Sequence, residues 1–79
     1  MPRVTKQQRE AFANRLRPAM MEKGYRPVQL AETMGKAPRT IYAWMNGTHF
    51  PDAATMRDLA MLLDVSPAWL AFGVIAAAV

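Results

Sequence analysis

Three prolines, Pro27, Pro38 and Pro67, each stand just ahead of a short run of apolar residues at helical spacing, and this pattern restricts the fold more than any other feature. Proline has no N–H to donate and crowds the carbonyl four residues back, so a helix tolerates it in its first turn and seldom further in. Each of the three therefore predicts a helix start. After Pro27, Leu30, Ala31 and Met34 mark a short helix that Gly35 ends. After Pro38, Ile41, Trp44 and Met45 mark another, ended by Gly47, and Ser66-Pro67 opens a last one carrying Trp69, Leu70 and Phe72. Upstream, Thr5-Lys6-Gln7-Gln8 has the form of a capping box, and Phe12, Leu16 and Met20 recur every four residues. A first helix over about 6–23 follows, closed by Gly24, with a kink expected at Pro18. Asp52 is placed to cap a fourth helix carrying Met56, Leu59, Ala60, Leu62 and Leu63.

No segment alternates with period two, so strands are absent or confined to the last residues, where Val74, Ile75 and Val79 favour extended backbone. The expected architecture is all-α with five helices. A chain of 79 residues cannot divide into two cores, so residues 1–73 are read as one domain and 74–79 as an apolar tail. There is no cysteine, and His49 is the one histidine, which excludes a disulfide framework and a thiolate or multi-histidine metal site. No Gly-rich phosphate loop and no grouped carboxylates suggest catalysis, so no catalytic residue, metal, cofactor or small-molecule ligand is inferred. The N-terminus is polar and lacks the apolar core of a signal peptide, while the uncharged run from Ala68 to Val79 is shorter than the roughly 20 residues that span a bilayer. A cytoplasmic protein with no membrane partner is expected.

Charge is distributed unevenly. Residues 1–39 hold nine of the ten Lys and Arg against three Glu, a balance of +6, whereas residues 40–79 hold Arg57 against three Asp, a balance of −2. A basic half of this kind suits a polyanion, and it also fits a merely solvated face. Two short helices joined by Gly35-Lys36-Ala37, beside that basic half, have the form of a helix-turn-helix, whose second helix enters the DNA major groove.

The run Leu30-Ala31-Glu32-Thr33-Met34-Gly35, then Thr40-Ile41, Trp44, Asn46-Gly47, and finally Leu59-Ala60 with Leu63-Asp64-Val65-Ser66-Pro67, resembles the lambda-repressor-like Cro/CI (XRE) DNA-binding domain over about residues 8–73. The ending Val65–Gly73 is especially similar to phage and prophage repressors. The resemblance implies that Pro38, Arg39, Thr40, Tyr42 and Ala43 lie on the recognition helix, and that Asn46, Thr48 and His49 lie in a loop that meets the sugar-phosphate backbone. Lys36 in the turn, Arg26 and Pro27 at the start of the second helix, and a basic arm from Arg3 to Arg9 complete the expected DNA face. Arg39 has the fork that pairs with guanine O6 and N7, and Ala43 the methyl that meets thymine. The chain departs from the family where Pro27 replaces a habitual polar contact, and where Ala37 and Pro38 offer no donor to a base edge.

Other readings of these side chains stay open. Arg39 also reads as a solvated charge, Tyr42 equally as packing toward the fourth helix, and His49 chiefly as an ordinary loop residue. Trp44 and Trp69 fall at core spacing, and the seven methionines read as core filler, with Met45 and Met61 the candidates for exposure. The leading expectation is a sequence-specific regulator of transcription that binds double-stranded operator DNA as a homodimer, joined through Trp69, Phe72, Val74, Ile75 and Val79. The alternative is a protein-interaction module, antitoxin-like or an adaptor, that keeps the fold without reading bases.

Overall fold

The structure is a computed structural model that describes residues 3–74. Five helices occur in the expected places: α1 (Lys6–Lys23), α2 (Pro27–Met34), α3 (Pro38–Met45), α4 (Ala53–Leu63) and α5 (Pro67–Phe72). No strand occurs among the described residues. Val74 is irregular, and the extended tail expected at Ile75 and Val79 lies outside the described residues.

The starts of the helices follow from local chemistry. Thr5 accepts from Gln8 N while its own N–H donates to Gln8 Oε1 at 2.8 Å, so the reciprocal cap opens α1 as expected. Asp52 accepts from Thr55 N at 2.8 Å to open α4, and Ser66 accepts from Trp69 N to open α5. Pro27, Pro38 and Pro67 each occupy the first turn of their helix. Pro18 leaves α1 in one piece: it lies on an exposed face, and the helix continues to Lys23. Helix α3 ends one residue earlier than the glycine implied, with Asn46 right-handed at its cap and Gly47 taking the left-handed turn after it. The end of α4 carried no recognisable stop signal, because its left-handed cap is Asp64 rather than glycine. Lys23 Nζ stands 3.5 Å from the Asp64 carboxylate and ties the end of α4 to the end of α1.

The apolar faces meet in one core. Phe12, Leu16 and Met20 of α1 pack with Leu30 of α2, Ile41 and Trp44 of α3, Leu59 and Leu63 of α4, and Leu70 of α5. No polar or charged residue among those described is buried. Helix α1 is the spine, in contact with α3, α4 and α5, while α2 packs chiefly on α3. Phe50, in the loop between α3 and α4, meets Phe12 edge-on with ring centroids 5.2 Å apart. The methionine expectation needs one correction. Met61 is exposed as expected, but Met45 is half-buried against the core because the last turn of α3 leans on α1, and Met21 is exposed in its place.

Candidate nucleic-acid interface

Helix α3 has two unlike faces. Ile41 and Trp44 are buried and Met45 is half-buried, so the opposite face carries Pro38, Arg39, Tyr42 and Asn46, all exposed. Tyr42 is 47% exposed, which removes the expectation that it packs toward α4. Thr40 and Ala43 are half-buried at the edges of that outer face. Lys36, in the three-residue turn before α3, and Arg26, the residue before α2, are also exposed. Pro27 is half-buried.

The cations divide by what they touch. Arg9 Nε donates to the Gly47 carbonyl at 3.2 Å and Nη1 to the Val4 carbonyl at 3.3 Å. Arg15 donates to the carbonyls of Leu70 and Ala71 at 3.0 and 2.9 Å, in the last turn of α5. Arg17 donates to the Met45 carbonyl at the end of α3, and to Asn14 Oδ1 at 2.6 Å. All three arginines of α1 thus serve carbonyls at or just beyond helix C-termini, which have no partner within the helix and carry partial negative charge. Burial of Arg15 lowers its pKa, and its guanidinium nevertheless stays charged. By contrast, the side chains of Arg26, Lys36 and Arg39 make no hydrogen bond or ion pair among the described residues.

This division corrects the expected basic arm. Helix α1 already begins at Lys6, so Lys6 lies on a helix near Glu10 and Arg9 is held by the loop, which leaves only residues 3–5 of the arm as irregular chain among those described. The first half's cations are mostly exposed, but three of its arginines are engaged by internal carbonyls. The missed signal was positional: Arg9, Arg15 and Arg17 sit close to Phe12 and Leu16 in helical register, at the border of the buried stripe.

The loop after α3 is fixed in the same way. The Ala43 carbonyl accepts from Thr48 N at 3.0 Å, from the Thr48 hydroxyl at 3.0 Å and from His49 N at 3.3 Å. The Thr48 hydroxyl proton is thereby engaged inside the loop, whereas the side chains of Asn46 and His49 are exposed. Gly47 has φ +75°, and a Cβ there would lie 3.1 Å from Glu10 Cγ and 3.2 Å from Glu10 Cα. Only glycine lets the loop turn this way and rest on α1.

Helix ends supply a second distinction. At α1, α4 and α5 the N-cap side chain accepts from a first-turn N–H; at α2 only the reverse bond occurs, Gln29 Oε1 accepting from the Arg26 N–H at 3.1 Å, and α3 has no side-chain cap. The two helices without an N-cap acceptor are those joined by the Gly35 turn. A helix-turn-helix family model matches residues 16–70, which takes in all of that pair. The chain belongs to the helix-turn-helix family of the XRE type. Neither a curated protein nor a solved structure matches it.

In helix-turn-helix terms α2 and α3 are the paired helices joined by the turn, and the family is one of DNA-binding regulatory domains. Among the described residues no helix is long and apolar enough to cross a membrane. No group of three or more potential metal ligands occurs among them.

Proposed function

We propose that this chain is a sequence-specific regulator of the phage Cro or repressor kind, binding double-stranded operator DNA as a homodimer and blocking or recruiting polymerase there. The observation that carries the reading is the outer face of α3, where Arg39 and Tyr42 are exposed and Arg39 has no partner within the described residues. Arg39 reads a guanine edge, with Tyr42 and Ala43 beside it meeting a base or a thymine methyl. Arg26, Lys36, Asn46 and His49 meet phosphates around that helix, together with the open N-terminus of α2 at Pro27. Pro38 offers no donor and the Thr48 hydroxyl is engaged inside the loop, while Thr40 at the edge of the face adds a hydroxyl contact. Residues 1–73 act as the DNA-binding domain, and the tail 74–79 joins with Trp69 and Phe72 of α5 to pair two copies. Pairing sets two recognition helices about 34 Å apart, one helical turn of DNA. Such a regulator works in the cytoplasm, where the DNA is.

A second reading has its own support. Ala37 and Pro38 at the start of α3, and Pro27 at the start of α2, give no side-chain donor where the resemblance places polar contacts, as in an adaptor that kept the fold. Selection of duplexes from a random pool separates the two. The regulator enriches a motif with two related half-sites, and its log affinity falls linearly with log salt by about 0.9 per phosphate neutralised. An adaptor enriches nothing.

A further inference from the structure

Arg9 and Arg17 stand two turns apart on α1, roughly 12 Å along its axis, yet they converge on one short stretch of backbone. Arg17 donates to the Met45 carbonyl, in the last turn of α3, and Arg9 donates to the Gly47 carbonyl at 3.2 Å, in the loop that follows. Asn46 lies between those two carbonyls with its side chain exposed. Each guanidinium is itself fixed by a second bond, Arg17 to Asn14 Oδ1 at 2.6 Å and Arg9 to the Val4 carbonyl at 3.3 Å. Gly47 is buried, and a Cβ there would meet Glu10, the neighbour of Arg9, at 3.1 Å. The end of α3 thus has two braces and a seat on a single helix.

Stability alone does not account for the pair. Arg17 is exposed, so water can take over the bonds it makes, and an exposed bond of that kind adds little to the fold. What water does not supply is position. A hydrated carbonyl leaves the loop free to shift against α1, whereas a guanidinium held at two points fixes it. We infer that Arg9 and Arg17 are positioning residues for DNA, holding Asn46 and His49 where those side chains meet phosphates without meeting the DNA themselves; this rests on the DNA-binding reading above. Ordering a side chain before binding removes that cost from the binding step, a gain of roughly 2- to 10-fold in affinity for each one kept in place. The loop is suited to such a device, because Asn46 and His49 are exposed while the backbone beneath them is tied to the Ala43 carbonyl and to α1. Two arginines of the basic half then serve DNA binding without adding to its salt dependence, unlike Lys36, whose charge meets a phosphate directly.

Affinity of the full chain for a selected duplex at about pH 8, where an imidazole is ordinarily neutral, tests this across a range of salt concentrations. Arg9→Ala and Arg17→Ala should each weaken binding at least about threefold, with the slope of log affinity against log salt unchanged, because no cation bound to a phosphate is lost. In a chain that already carries Asn46→Ala and His49→Ala, the same substitutions should weaken binding less than about twofold, since nothing is left for them to position. Arg9→Met and Arg17→Met keep the aliphatic stem and lose the donors, and they carry the same expectations where an alanine variant fails to fold. A slope shallower by about 1 overturns the inference and makes that arginine a phosphate contact in its own right. A full loss in the chain lacking both loop side chains overturns it by placing the effect elsewhere. Unchanged affinity in every background overturns it by leaving the two arginines purely structural. An unsubstituted chain that binds no duplex removes the DNA-binding reading itself, an outcome separate from these three.

Discussion

Two sets of cations sit within 31 residues of each other and do opposite things. Arg9, Arg15 and Arg17 of α1 turn inward onto carbonyls at the ends of α3 and α5, while Arg26, Lys36 and Arg39 around α2 and α3 reach no internal acceptor. Helix ends show a related contrast, since the N-cap side chains of α1, α4 and α5 accept from first-turn N–H groups, whereas α2 has only the Gln29 bond back to the Arg26 N–H and α3 has no side-chain cap. The three arginines of α1 serve carbonyls of the fold, while Arg26, Lys36 and Arg39 serve none among the described residues. Formal charge alone does not separate the two sets. What separates them is whether an orphan carbonyl lies within reach.

The largest effect that would break this contrast lies within α3 itself, between its two faces. Trp44→Ala should cost about 3 to 5 kcal/mol in urea unfolding, because it empties a buried site in the core. Tyr42→Ala, two positions away on the outer face, should leave stability within about 0.5 kcal/mol and weaken DNA binding instead. Equal losses of stability would mean that Tyr42 belongs to the scaffold.

Next come the arginines. Arg15→Ala removes two charge-assisted hydrogen bonds to the end of α5 and should destabilise the fold by about 1 to 3 kcal/mol, less if water replaces them. Arg26→Ala removes none and should be neutral to stability, within about 0.5 kcal/mol. If thermal unfolding ranks the two the other way, the inward and outward assignment is reversed.

Ala37 allows the open helix end to be closed on purpose. Ala37→Asp gives α3 the capping carboxylate it lacks and should raise stability by about 1 kcal/mol, while lowering DNA affinity by placing a negative charge among the phosphate contacts. A variant that gains stability and binds DNA unchanged would show that this end faces no phosphate.

The smallest effect concerns the capped side. Hydrogen bonds from Thr55, first through its backbone N–H, hold the Asp52 carboxyl below its ordinary value, with Lys36 nearby adding to the same shift. A depressed carboxyl contributes stability that is present above its unfolded pKa and is lost as pH falls through the folded one. Stability should therefore decline through the acid range below about pH 4, and Asp52→Asn should flatten that decline. An identical acid profile for both proteins would remove Asp52 from the account.

Much of this fold is written in short-range signals. The proline and Gly24 and Gly35 boundaries and the caps at Thr5, Asp52 and Ser66 were legible because each acts on backbone within four residues. So was the division of α3, where Ile41 and Trp44 fix the inner face and leave Arg39 and Tyr42 outside. The three structural arginines were not legible, since their acceptors lie 28 to 56 residues away in most cases. Asp64 was missed because a left-handed cap is ordinarily glycine.

Whether Arg39 reads a base is decided by affinity for a selected site and its single-base variants. Arg39→Ala should weaken the preferred site by about 1 to 3 kcal/mol and lose discrimination at one base pair. Lys36→Ala, measured in parallel, should weaken every sequence alike and make the salt slope shallower by about 1. A uniform loss across all sequences for Arg39→Ala would make it a phosphate contact and contradict the claim.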